Sequence, residues 1–427
     1  MSKYIVNGGK KLHGKVVVEK SKNAILPIMA ASLLVQGKTT ITNVPNFSDI
    51  TAMAKIIESV GAKITFASGN LTIDATTLSD ADITCEEAGK IRASVFLMGP
   101  VISRMHRCKI SKPGGCAIGA RPIDIHLSGF EALGVCVQET QNEVLCVLDC
   151  FSGGEITLRM ASVGATENLI MCSVLGNKTT ILHGVAKEPE IVDLCKFLIG
   201  AGANIVGEGT DTITIVGVSK LKPTTFTPIA DRIVAGTYML AVALCGGRVQ
   251  ICDINAGHNQ RLIDLLARFG CKISCKSDRI YMSSSGFLQA NCNIVTGPYP
   301  EFATDLQSQI MAVLAGADGV CTITENMFES RFKHVAEFNK MGANIVVHKN
   351  TATIFGNSQC YHGQNVTCHD LRGGAGLVIS ALAAKGTTII DQIDYIGRGY
   401  ENFEQKLASL GADIHRIEDE EEKHNWY

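Results

Sequence analysis

A helix–glycine–strand pattern that recurs six times restricts the fold of this chain more than any other feature of its sequence. Each copy is an amphipathic segment, then a glycine, then a short segment of β-forming residues, as in residues 57–66 and 338–345. The glycines are residues 61, 134, 202, 270, 342 and 411, at successive spacings of 73, 68, 68, 72 and 69. A glycine closes a helix in the left-handed conformation, and β-branched and aromatic residues after it favour a strand. The pattern therefore predicts six units of about 70 residues.

A second marker lies upstream in several units and predicts a second, buried helix. Apolar segments at residues 24–34, 232–244 and 376–384 each precede a strand-like segment such as residues 37–41. Each unit thus combines two helices with several strands, which predicts an α/β (α+β) fold. Since 427 residues exceed one ordinary core, we expect two domains of three units, with the boundary in the proline-containing segment 217–229. A solenoid is the weaker alternative, because its repeats are usually about 20–50 residues long.

Composition and charge exclude several classes of protein. The chain is 46% apolar and 19% charged with a net charge of −2, so nucleic acid and anionic membranes are not expected partners. Residues 1–14 lack the apolar core of a signal peptide. The longest apolar run, residues 25–35, is shorter than the about 20 residues of a membrane span.

The cysteines indicate a reducing compartment. The chain has 16 cysteines but no C-x-x-C pair and no matching histidine cluster, which argues against structural zinc and against a secreted disulfide framework. Most are expected to be small buried hydrophobic residues of a cytoplasmic protein. Phosphate-loop, dinucleotide-binding and H-E-x-x-H motifs are also missing from the sequence, so neither an ATPase, a classical dehydrogenase nor a zinc hydrolase is expected.

Residues 111–126 form the stretch with the clearest chemical character. Gly114, Gly115 and Gly119 surround Cys116, which predicts a mobile loop that carries a thiol. Arg121 follows, and Pro122 is typical of the first position of a helix. A thiol on such a loop beside a cation suits chemistry on an anionic substrate. The alternative is a surface turn that holds one of many cysteines.

Polar residues at predicted helix starts give further candidates. Lys22 and Asn23 precede a buried helix, where cations and amides bind anions; the alternative is an exposed lysine. Arg92 heads another apolar helix, where the alternative is a surface arginine. Asp305 follows two prolines and is either a helix cap or a general base, and the pattern alone favours the cap.

Three arginines in the C-terminal half point to a highly anionic small substrate. Arg372 and Arg398 are next to glycines, and Arg331 lies between serine and phenylalanine. Guanidinium groups bind phosphates and carboxylates through two-point contacts. Together with Lys22 and Arg121, these arginines predict an anion-binding site.

These residues, taken together, resemble the UDP-N-acetylglucosamine 1-carboxyvinyltransferases, the enolpyruvyl transferase family of peptidoglycan precursor synthesis. The resemblance runs from residue 4 to about residue 414, and the loop around Cys116 is its most specific part. The segments that carry it are Lys22-Asn23-Ala24, Arg92-Ala93-Ser94, residues 113–122, Ser162-Val163-Gly164-Ala165-Thr166, residues 188–193, Thr304-Asp305, Phe328-Glu329-Ser330-Arg331-Phe332, Asp370-Leu371-Arg372 and Arg398-Gly399-Tyr400-Glu401.

The resemblance implies an architecture that agrees with the six-unit pattern. The family has a two-domain, inside-out α/β barrel with three repeats per domain and an active site in the interdomain cleft. Its first segment crosses back, so residues 1–21 and 230–427 are expected to form one domain and residues 22–229 the other. The acidic residues 418–427 are expected to be a disordered tail.

The resemblance also implies a reaction, in which enolpyruvyl passes from phosphoenolpyruvate to the sugar 3-hydroxyl and phosphate is released. Cys116 is expected to protonate the methylene carbon and to form a covalent pyruvyl adduct, and Asp305 to accept the hydroxyl proton. Lys22, Asn23, Arg121 and Arg398 are expected to hold phosphoenolpyruvate. The residues expected at the UDP-sugar are Asn23, Arg92, Arg121, Pro122, Ile123, Asp124, Ile125, Ser162, Val163, Asp305 and Met327, with Arg331, Asp370 and Arg372 in support.

No cofactor or metal is expected, and the partners are the two small-molecule substrates. The biological setting that the resemblance implies is cell wall biogenesis, cell shape and division in the cytoplasm. The sequence leaves the oligomeric state open. It also leaves two rival functions, the related shikimate-pathway synthase and a catalytically silent UDP-sugar-binding paralogue. The intact set of Lys22, Cys116, Asp305 and Arg398 argues against the silent paralogue.

Overall fold

Six four-stranded sheets with one shared topology organise the part of the chain that the structure describes. The computed structural model describes residues 2–112, 119 and 121–418. In every sheet an edge strand runs parallel to its neighbour, which pairs antiparallel with a third strand, and the fourth strand pairs antiparallel with the third. The prediction of a mixed α/β fold built from six repeats is confirmed.

The strands are β1 (Lys3–Asn7), β2 (Leu12–Val17), β3 (Lys38–Ile41), β4 (Lys63–Ala67), β5 (Asn70–Asp74), β6 (Asp82–Ile83), β7 (Arg107–Ser111), β8 (Val135–Glu139), β9 (Glu143–Leu148), β10 (Gly154–Thr157), β11 (Thr179–His183), β12 (Asn204–Val206), β13 (Thr212–Val216), β14 (Thr224–Phe226), β15 (Gly247–Cys252), β16 (Lys272–Lys276), β17 (Arg279–Ser284), β18 (Asn293–Val295), β19 (Gly319–Thr324), β20 (Ile345–His348), β21 (Thr351–Gly356), β22 (Asn365–Thr367), β23 (Thr387–Asp391) and β24 (Asp413–Ile417).

The α-helices are α1 (Lys22–Ala31), α2 (Ser48–Ser59), α3 (Glu86–Lys90), α4 (Met98–Met105), α5 (Asp124–Ala132), α6 (Val163–Ser173), α7 (Pro189–Gly200), α8 (Arg232–Cys245), α9 (Gln260–Arg268), α10 (Gln307–Ala315), α11 (Val335–Lys340), α12 (Leu371–Ala383) and α13 (Phe403–Ser409). Short 3-10 helices span Ser32–Leu34, Arg92–Leu97, Ala256–Asn259, Thr304–Leu306 and Ile393–Arg398.

The described residues divide into two units. The N-terminal unit includes residues 20–112 and 121–229, and the C-terminal unit includes residues 2–19 and 230–418. Each unit has its own hydrophobic core and three of the six sheets. The chain passes from one unit to the other between residues 19 and 20 and between residues 229 and 230. The predicted domain boundaries lie between residues 21 and 22 and between residues 229 and 230. The predicted acidic tail lies outside the described residues from residue 419 onward.

Strands distant in sequence complete several sheets. In the C-terminal unit, β1 lies between β23 and β24, and β2 pairs parallel with β15. In the N-terminal unit, β14 pairs parallel with β3, so the last strand of that unit closes the sheet of its first repeat. The first 19 residues therefore belong to the C-terminal unit because their strands complete two of its sheets.

Both predicted classes of helix are present. Nearly every residue of α1, α8 and α12 is buried, including all residues from Ile233 to Leu244. The six marker glycines, residues 61, 134, 202, 270, 342 and 411, follow amphipathic helices with φ between 92° and 104°. A Cβ at Gly270 would meet no atom within 4 Å, so its left-handed backbone, rather than crowding, requires glycine there. No helix in the described ranges is long and apolar enough to cross a membrane.

Candidate active site

Lys22 begins α1 in the N-terminal unit and is a buried cation. Its side chain is 11% exposed, and its Nζ lies 3.0 Å from Oδ2 of Asp49, which is 8% exposed. Burial without such a carboxylate would favour the neutral amine, so Asp49 helps to keep the lysine charged. The alternative of an exposed lysine is therefore wrong, and the lysine charge sits at a helix N-terminus beside Asn23, where anions bind favourably.

Arg92, Pro122 and Asp124 belong to neighbouring segments of the same unit. Arg92 begins a 3-10 helix, and its Nη2 donates a hydrogen bond of 3.4 Å to the Pro122 carbonyl oxygen. Arg121 has a left-handed backbone with φ of 47°, which is uncommon for a residue with a side chain. Helix α5 begins at Asp124 rather than at Pro122, because the intervening Ile123 has non-helical dihedral angles. Asp124 forms an ion pair with Arg159.

Ser162 caps the helix that Val163 begins. Its Oγ accepts a hydrogen bond of 3.4 Å from the Ala165 amide, which satisfies one of the unpaired amides of the first turn. Gly164 allows α6 to approach α5 closely, since a Cβ there would lie 3.1 Å from Cε1 of His126. The segments that carry Ser162 and Asp124 are therefore packed directly against each other.

A neutral network around Asn168 fixes these segments, and sequence reasoning missed it. Asn168 lies in α6 and is fully buried. Its Nδ2 donates to the Val95 carbonyl oxygen and to Nδ1 of His126, both at 3.0 Å, and its Oδ1 accepts from the Gly99 amide at 2.8 Å. Asn168 thus ties α6 to α5 and to the helices that follow Arg92. The sequence signal was a group of polar residues, Thr166, Glu167 and Asn168, within a helix that is otherwise mostly apolar.

Burial keeps the ionisable neighbours of Asn168 uncharged. Burial lowers the pKa of His126 to about 3, with a smaller contribution from Arg92. Burial also raises the pKa of Glu167 well above its usual value, and the nearby Glu190 and Glu188 raise it further. Neither carboxyl oxygen of Glu167 has a protein hydrogen-bond partner in the described part of the chain. His126 and Glu167 are therefore both neutral near pH 7.

Asp305 in the C-terminal unit is held by two buried arginines. Its Oδ1 accepts a hydrogen bond of 2.9 Å from Arg331, and its Oδ2 accepts bonds of 2.9 and 3.2 Å from Nη2 and Nε of Arg372. The arginine side chains are 5% and 4% exposed, whereas the aspartate side chain is 29% exposed. A carboxylate held by two guanidinium groups is ionised near pH 7. It combines a fixed orientation with access to solvent.

The helix-cap interpretation of Asp305 is wrong. Asp305 lies within the 3-10 helix Thr304–Leu306, whose N-cap is Ala303. The true cap in this region is Asp370, whose Oδ1 accepts hydrogen bonds of 2.9 Å from the amides of Arg372 and Gly373. Capping of α12 therefore fixes the backbone from which Arg372 reaches Asp305.

Tyr400 connects Arg372 to a second buried network. The Arg372 guanidinium lies 5.6 Å from the centre of the Tyr400 ring. Burial lowers the pKa of Arg372, but the charges of Asp305 and Tyr400 raise it more, so the net shift is upward. The Tyr400 hydroxyl lies 2.8 Å from Oγ1 of Thr237 and accepts from Gln309 at 3.2 Å. Gln309 also donates to the Asp305 carbonyl oxygen at 2.9 Å, which closes the network on Asp305.

Glu325 organises the segment that contains Met327. Its Oε1 accepts hydrogen bonds from Oγ1 of Thr296 at 2.9 Å and from the Met327 amide at 2.8 Å. Its Oε2 accepts one of 2.9 Å from Oγ1 of Thr304. Glu325 is 3% exposed, so this carboxylate links the Met327 turn to the residue before Asp305. No sequence pattern around Glu325 indicates this role.

Some of the predicted residues lie close together within each unit. In the N-terminal unit, Arg92, residues 121–125 and Ser162–Val163 surround the Asn168 network, while in the C-terminal unit Asp305, Arg331 and Arg372 are in direct contact. Arg398 ends the 3-10 helix Ile393–Arg398. Cys116 lies outside the described residues. Within the described ranges there is no group of three or more histidine, cysteine or acidic residues that could hold a metal ion.

Comparisons with known proteins identify the family of the chain. The family model for EPSP synthase (3-phosphoshikimate 1-carboxyvinyltransferase) matches residues 6–407. UDP-N-acetylglucosamine 1-carboxyvinyltransferase 2 of Caldanaerobacter subterraneus subsp. tengcongensis is 44% identical over 417 residues, which cover 98% of this chain and 100% of that protein. UDP-N-acetylglucosamine 1-carboxyvinyltransferase of Trichlorobacter lovleyi is 44% identical over 418 residues, 98% of this chain and 99% of that protein.

Solved structures share the fold at lower sequence identity. The enolpyruvyl transferase NikO from Streptomyces tendae has a TM-score of 0.87 at 23% identity and covers 97% of this chain and 98% of its own. EPSP synthase from Acinetobacter baumannii has a TM-score of 0.74 at 16% identity, with coverage of 98% and 100%. From the family model that matches residues 6–407 and the near full-length similarity to these relatives, the chain belongs to the EPSP synthase family and, within it, to the UDP-N-acetylglucosamine 1-carboxyvinyltransferases.

Proposed function

We propose that the protein transfers enolpyruvyl from phosphoenolpyruvate to the 3-hydroxyl of UDP-N-acetylglucosamine and releases phosphate. The observation that carries this proposal is the 44% identity, over 98% of the chain, to a protein named for that reaction. The reaction is the first committed step of peptidoglycan precursor synthesis. The fifteen described cysteines are free thiols, which supports a reducing compartment, and we place the reaction in the cytoplasm.

The side chains divide the chemistry between binding and proton transfer. Lys22, Asn23, Arg121 and Arg398 bind the carboxylate and phosphate of phosphoenolpyruvate. The substrates together carry about five negative charges, so fixed cations are required to hold them. Lys22 suits this role because it is buried, paired with Asp49 and placed at a helix N-terminus.

Asp305 and Cys116 act on the two reacting partners. In the addition step Asp305 takes the proton of the sugar 3-hydroxyl, the oxygen bonds to the central carbon of phosphoenolpyruvate, and the Cys116 thiol protonates the methylene carbon. In the elimination step the Cys116 thiolate takes back a methyl proton from the tetrahedral intermediate, and phosphate leaves with the proton that Asp305 holds. The contacts of Arg331 and Arg372 with Asp305 support this role, because they keep its carboxylate ionised and oriented.

The residues that bind the sugar nucleotide in this proposal are the ones that the family resemblance implies, and each unit contains some of them. Arg92, residues 121–125, Ser162 and Val163 bind it from the N-terminal unit, and the Asn168 network holds these segments in place. Asp305 and Met327 bind it from the C-terminal unit, with Arg331, Asp370 and Arg372 in support.

Phosphate release tests the reaction directly. The purified protein is mixed with phosphoenolpyruvate and either UDP-N-acetylglucosamine or shikimate 3-phosphate, and free phosphate is measured over time. We expect release with the UDP-sugar alone. Release with shikimate 3-phosphate would identify the shikimate-pathway reaction instead. Silence with both, together with UDP-sugar binding by calorimetry, would identify a non-catalytic binding protein.

Two substitutions at Cys116 test its role as an acid. Cys116→Ser should lower turnover by about 10²–10⁴-fold, since a hydroxyl is a far weaker acid than a thiol. Cys116→Asp should retain activity, because a carboxyl group also donates a proton. Turnover of the serine variant at the rate of the unaltered protein would exclude the acid role.

A further inference from the structure

Two cysteine thiols face each other across a pair of parallel strands in the C-terminal unit. Cys321 lies in β19, and Cys292 directly precedes β18. The strand register pairs Asn293 with Thr322, so Cys292 stands beside Cys321 one position earlier. The Cys292 thiol donates a hydrogen bond to the Cys321 sulfur, with 3.6 Å between the two Sγ atoms.

The backbone at this pair is compatible with a covalent bond between the sulfurs. The Thr322 amide donates a hydrogen bond of 3.0 Å to the Cys292 carbonyl oxygen, which fixes the two strands side by side. Neighbouring strands lie about 4.7–4.9 Å apart, and disulfides join Cα atoms that are about 4.4–6.8 Å apart. The spacing of neighbouring strands therefore falls within the range that a disulfide spans.

The two thiols differ in access to solvent. Cys292 is half-buried, whereas Cys321 is 2% exposed. The hydrogen bond from Cys292 lowers the pKa of Cys321, and the same contact together with burial raises the pKa of Cys292. Loss of the first proton from the pair is therefore easier than from an isolated thiol. The pair combines a reachable sulfur with a protected one that supplies thiolate.

The other unit contains a second cross-strand pair that lacks these features. Cys108 and Cys146 are register partners on β7 and β9, and both are fully buried. Burial raises the pKa of Cys146 to about 12 and that of Cys108 further in the same direction. In the described part of the chain no hydrogen bond joins their sulfurs. This pair is a natural control for the chemistry of Cys292 and Cys321.

We propose that Cys292 and Cys321 form an oxidisable dithiol, a modification site that reacts with low-molecular-weight disulfides. In the first step Cys292 passes its proton to the Cys321 thiolate along the hydrogen bond between them, attacks a small disulfide, forms a mixed disulfide and expels one small thiolate. In the second step Cys321 gives that proton to the expelled small thiolate, attacks the Cys292 sulfur and expels the second small thiolate. Two protein thiols are oxidised, one small disulfide is reduced to two thiols, and atoms and electrons balance.

The bond encloses the segment that carries Asp305. Cys292 and Cys321 are 29 positions apart, and the residues between them include Thr296, Thr304 and Asp305. Thr296 and Thr304 both donate to Glu325, four residues after Cys321. The oxidised dithiol therefore covalently closes the segment that Glu325 holds only by hydrogen bonds. The assignment of the dithiol stands independently of the proposed reaction.

The test uses the full-length protein in glutathione disulfide. After incubation the free thiols are alkylated, the protein is digested without reductant, and the peptides are identified by mass spectrometry. We expect a linked Cys292–Cys321 peptide, two hydrogen atoms lighter than the sum of the reduced peptides, that dithiothreitol separates. Under the same conditions Cys108 and Cys146 should remain fully alkylated. Alkylation of both Cys292 and Cys321 while the exposed Cys275 carries glutathione would overturn the proposal.

Two variants test the order of the steps. In Cys321→Ser the mixed disulfide at Cys292 should accumulate, because the resolving thiol is gone. In Cys292→Ser, Cys321 should stay reduced, because it is buried. Accumulated glutathione on Cys292 in the unaltered protein would exclude Cys321 as the resolving thiol, and a glutathione adduct on Cys321 of Cys292→Ser would exclude Cys292 as the entry point.

Discussion

Asp305 in the C-terminal unit and Glu167 in the N-terminal unit are acids near the start of buried helices, and their surroundings are opposite. Asp305 contacts two guanidinium groups and is partly exposed. Glu167 is fully buried, has two carboxyl groups nearby and has a raised pKa. The same chemical group is therefore ionised in one unit and neutral in the other.

The difference extends to the neighbours of each acid. Around Asp305 the polar network is charged, and Tyr400 and Gln309 continue it into the interior. Next to Glu167 in the chain, the Asn168 network is neutral, since Asn168 bonds to a histidine whose pKa burial lowers to about 3. The two units share one sheet topology, but they position the segments of the candidate site differently. The C-terminal unit uses a charged network, and the N-terminal unit uses a neutral one. A charged network suits a residue that moves a proton, and a neutral one suits a scaffold for binding segments.

Among the substitutions that test this comparison, replacement of Asp305 should have the largest effect, and that effect is on turnover. Asp305→Asn should lower turnover by about 10²–10⁴-fold, because the amide cannot accept the proton of the sugar hydroxyl. Phosphate release measures the loss, and calorimetry shows whether UDP-N-acetylglucosamine still binds. Asp278→Asn is the matched control, since Asp278 forms an exposed pair with Arg279 in the same unit.

Asp305→Glu separates chemistry from folding. The glutamate keeps the negative charge between the two arginines but displaces the carboxylate by one methylene group. Turnover should fall while the melting temperature stays close to that of the unaltered protein. Retention of full turnover by Asp305→Asn would reduce the role of Asp305 to a structural ion pair.

The fold was largely predictable because its signals are local. Each marker glycine sits immediately after its helix, and the left-handed angle that it adopts is a property of that one position. The buried helices were visible as continuous apolar runs. No local sequence pattern indicates that residues 2–19 belong to the C-terminal unit, because β1 and β2 pair with strands more than 200 positions away. Only the family resemblance predicted it.

The site was predictable in its residue types but not in its contacts. Arg331 and Arg372 were recognised as candidate anion-binding groups, yet their contact with Asp305 joins residues 26 and 67 positions apart. The cap interpretation failed because the local pattern at Asp305 matches a helix start, while tertiary packing turns the carboxylate toward the arginines. Asn168 was missed because an asparagine in an apolar helix gives no indication of its partners.

Loss of a buried arginine is the next largest expected effect. Arg372→Met should lower the free energy of unfolding by about 3–5 kcal/mol, because it removes one partner of a buried ion pair. Arg331→Met should cost less, since Arg331 donates one hydrogen bond to the Asp305 carboxylate whereas Arg372 donates two. Urea denaturation of both variants measures the difference. An equal and small loss in both would contradict the charged-network interpretation.

A substitution in the neutral network around Asn168 should have a smaller effect on the free energy of unfolding. Asn168→Leu should lower the free energy of unfolding by about 1–3 kcal/mol, because buried partners on Val95, Gly99 and His126 lose their hydrogen bonds. The Michaelis constant for UDP-N-acetylglucosamine should rise more than turnover falls, since the segments that Asn168 joins bind the sugar nucleotide in the proposed function. A fall in turnover alone would instead place Asn168 in the chemical step.

Glu167→Gln should have the smallest effect on the free energy of unfolding at low pH. The change of this effect with pH tests most directly whether Glu167 is neutral in the folded protein. Below the usual glutamate pKa of about 4.3, the carboxyl group is protonated in folded and unfolded chains, so the variant should be as stable as the unaltered protein. Above that pH the unfolded chain loses a proton that folded Glu167 keeps, because its folded pKa is raised. The stability of the unaltered protein then falls by at most about 1.4 kcal/mol per pH unit.

The glutamine variant lacks this penalty, so its advantage in free energy of unfolding should grow as the pH rises above about 4.3. Contributions from other groups with shifted pKa values, such as His126 and Asp193, are common to both proteins and cancel in the difference. Urea denaturation at several pH values measures that difference. If the advantage stayed constant with pH, or reversed, Glu167 would be ionised in the folded protein, and the contrast with Asp305 would be one of burial alone.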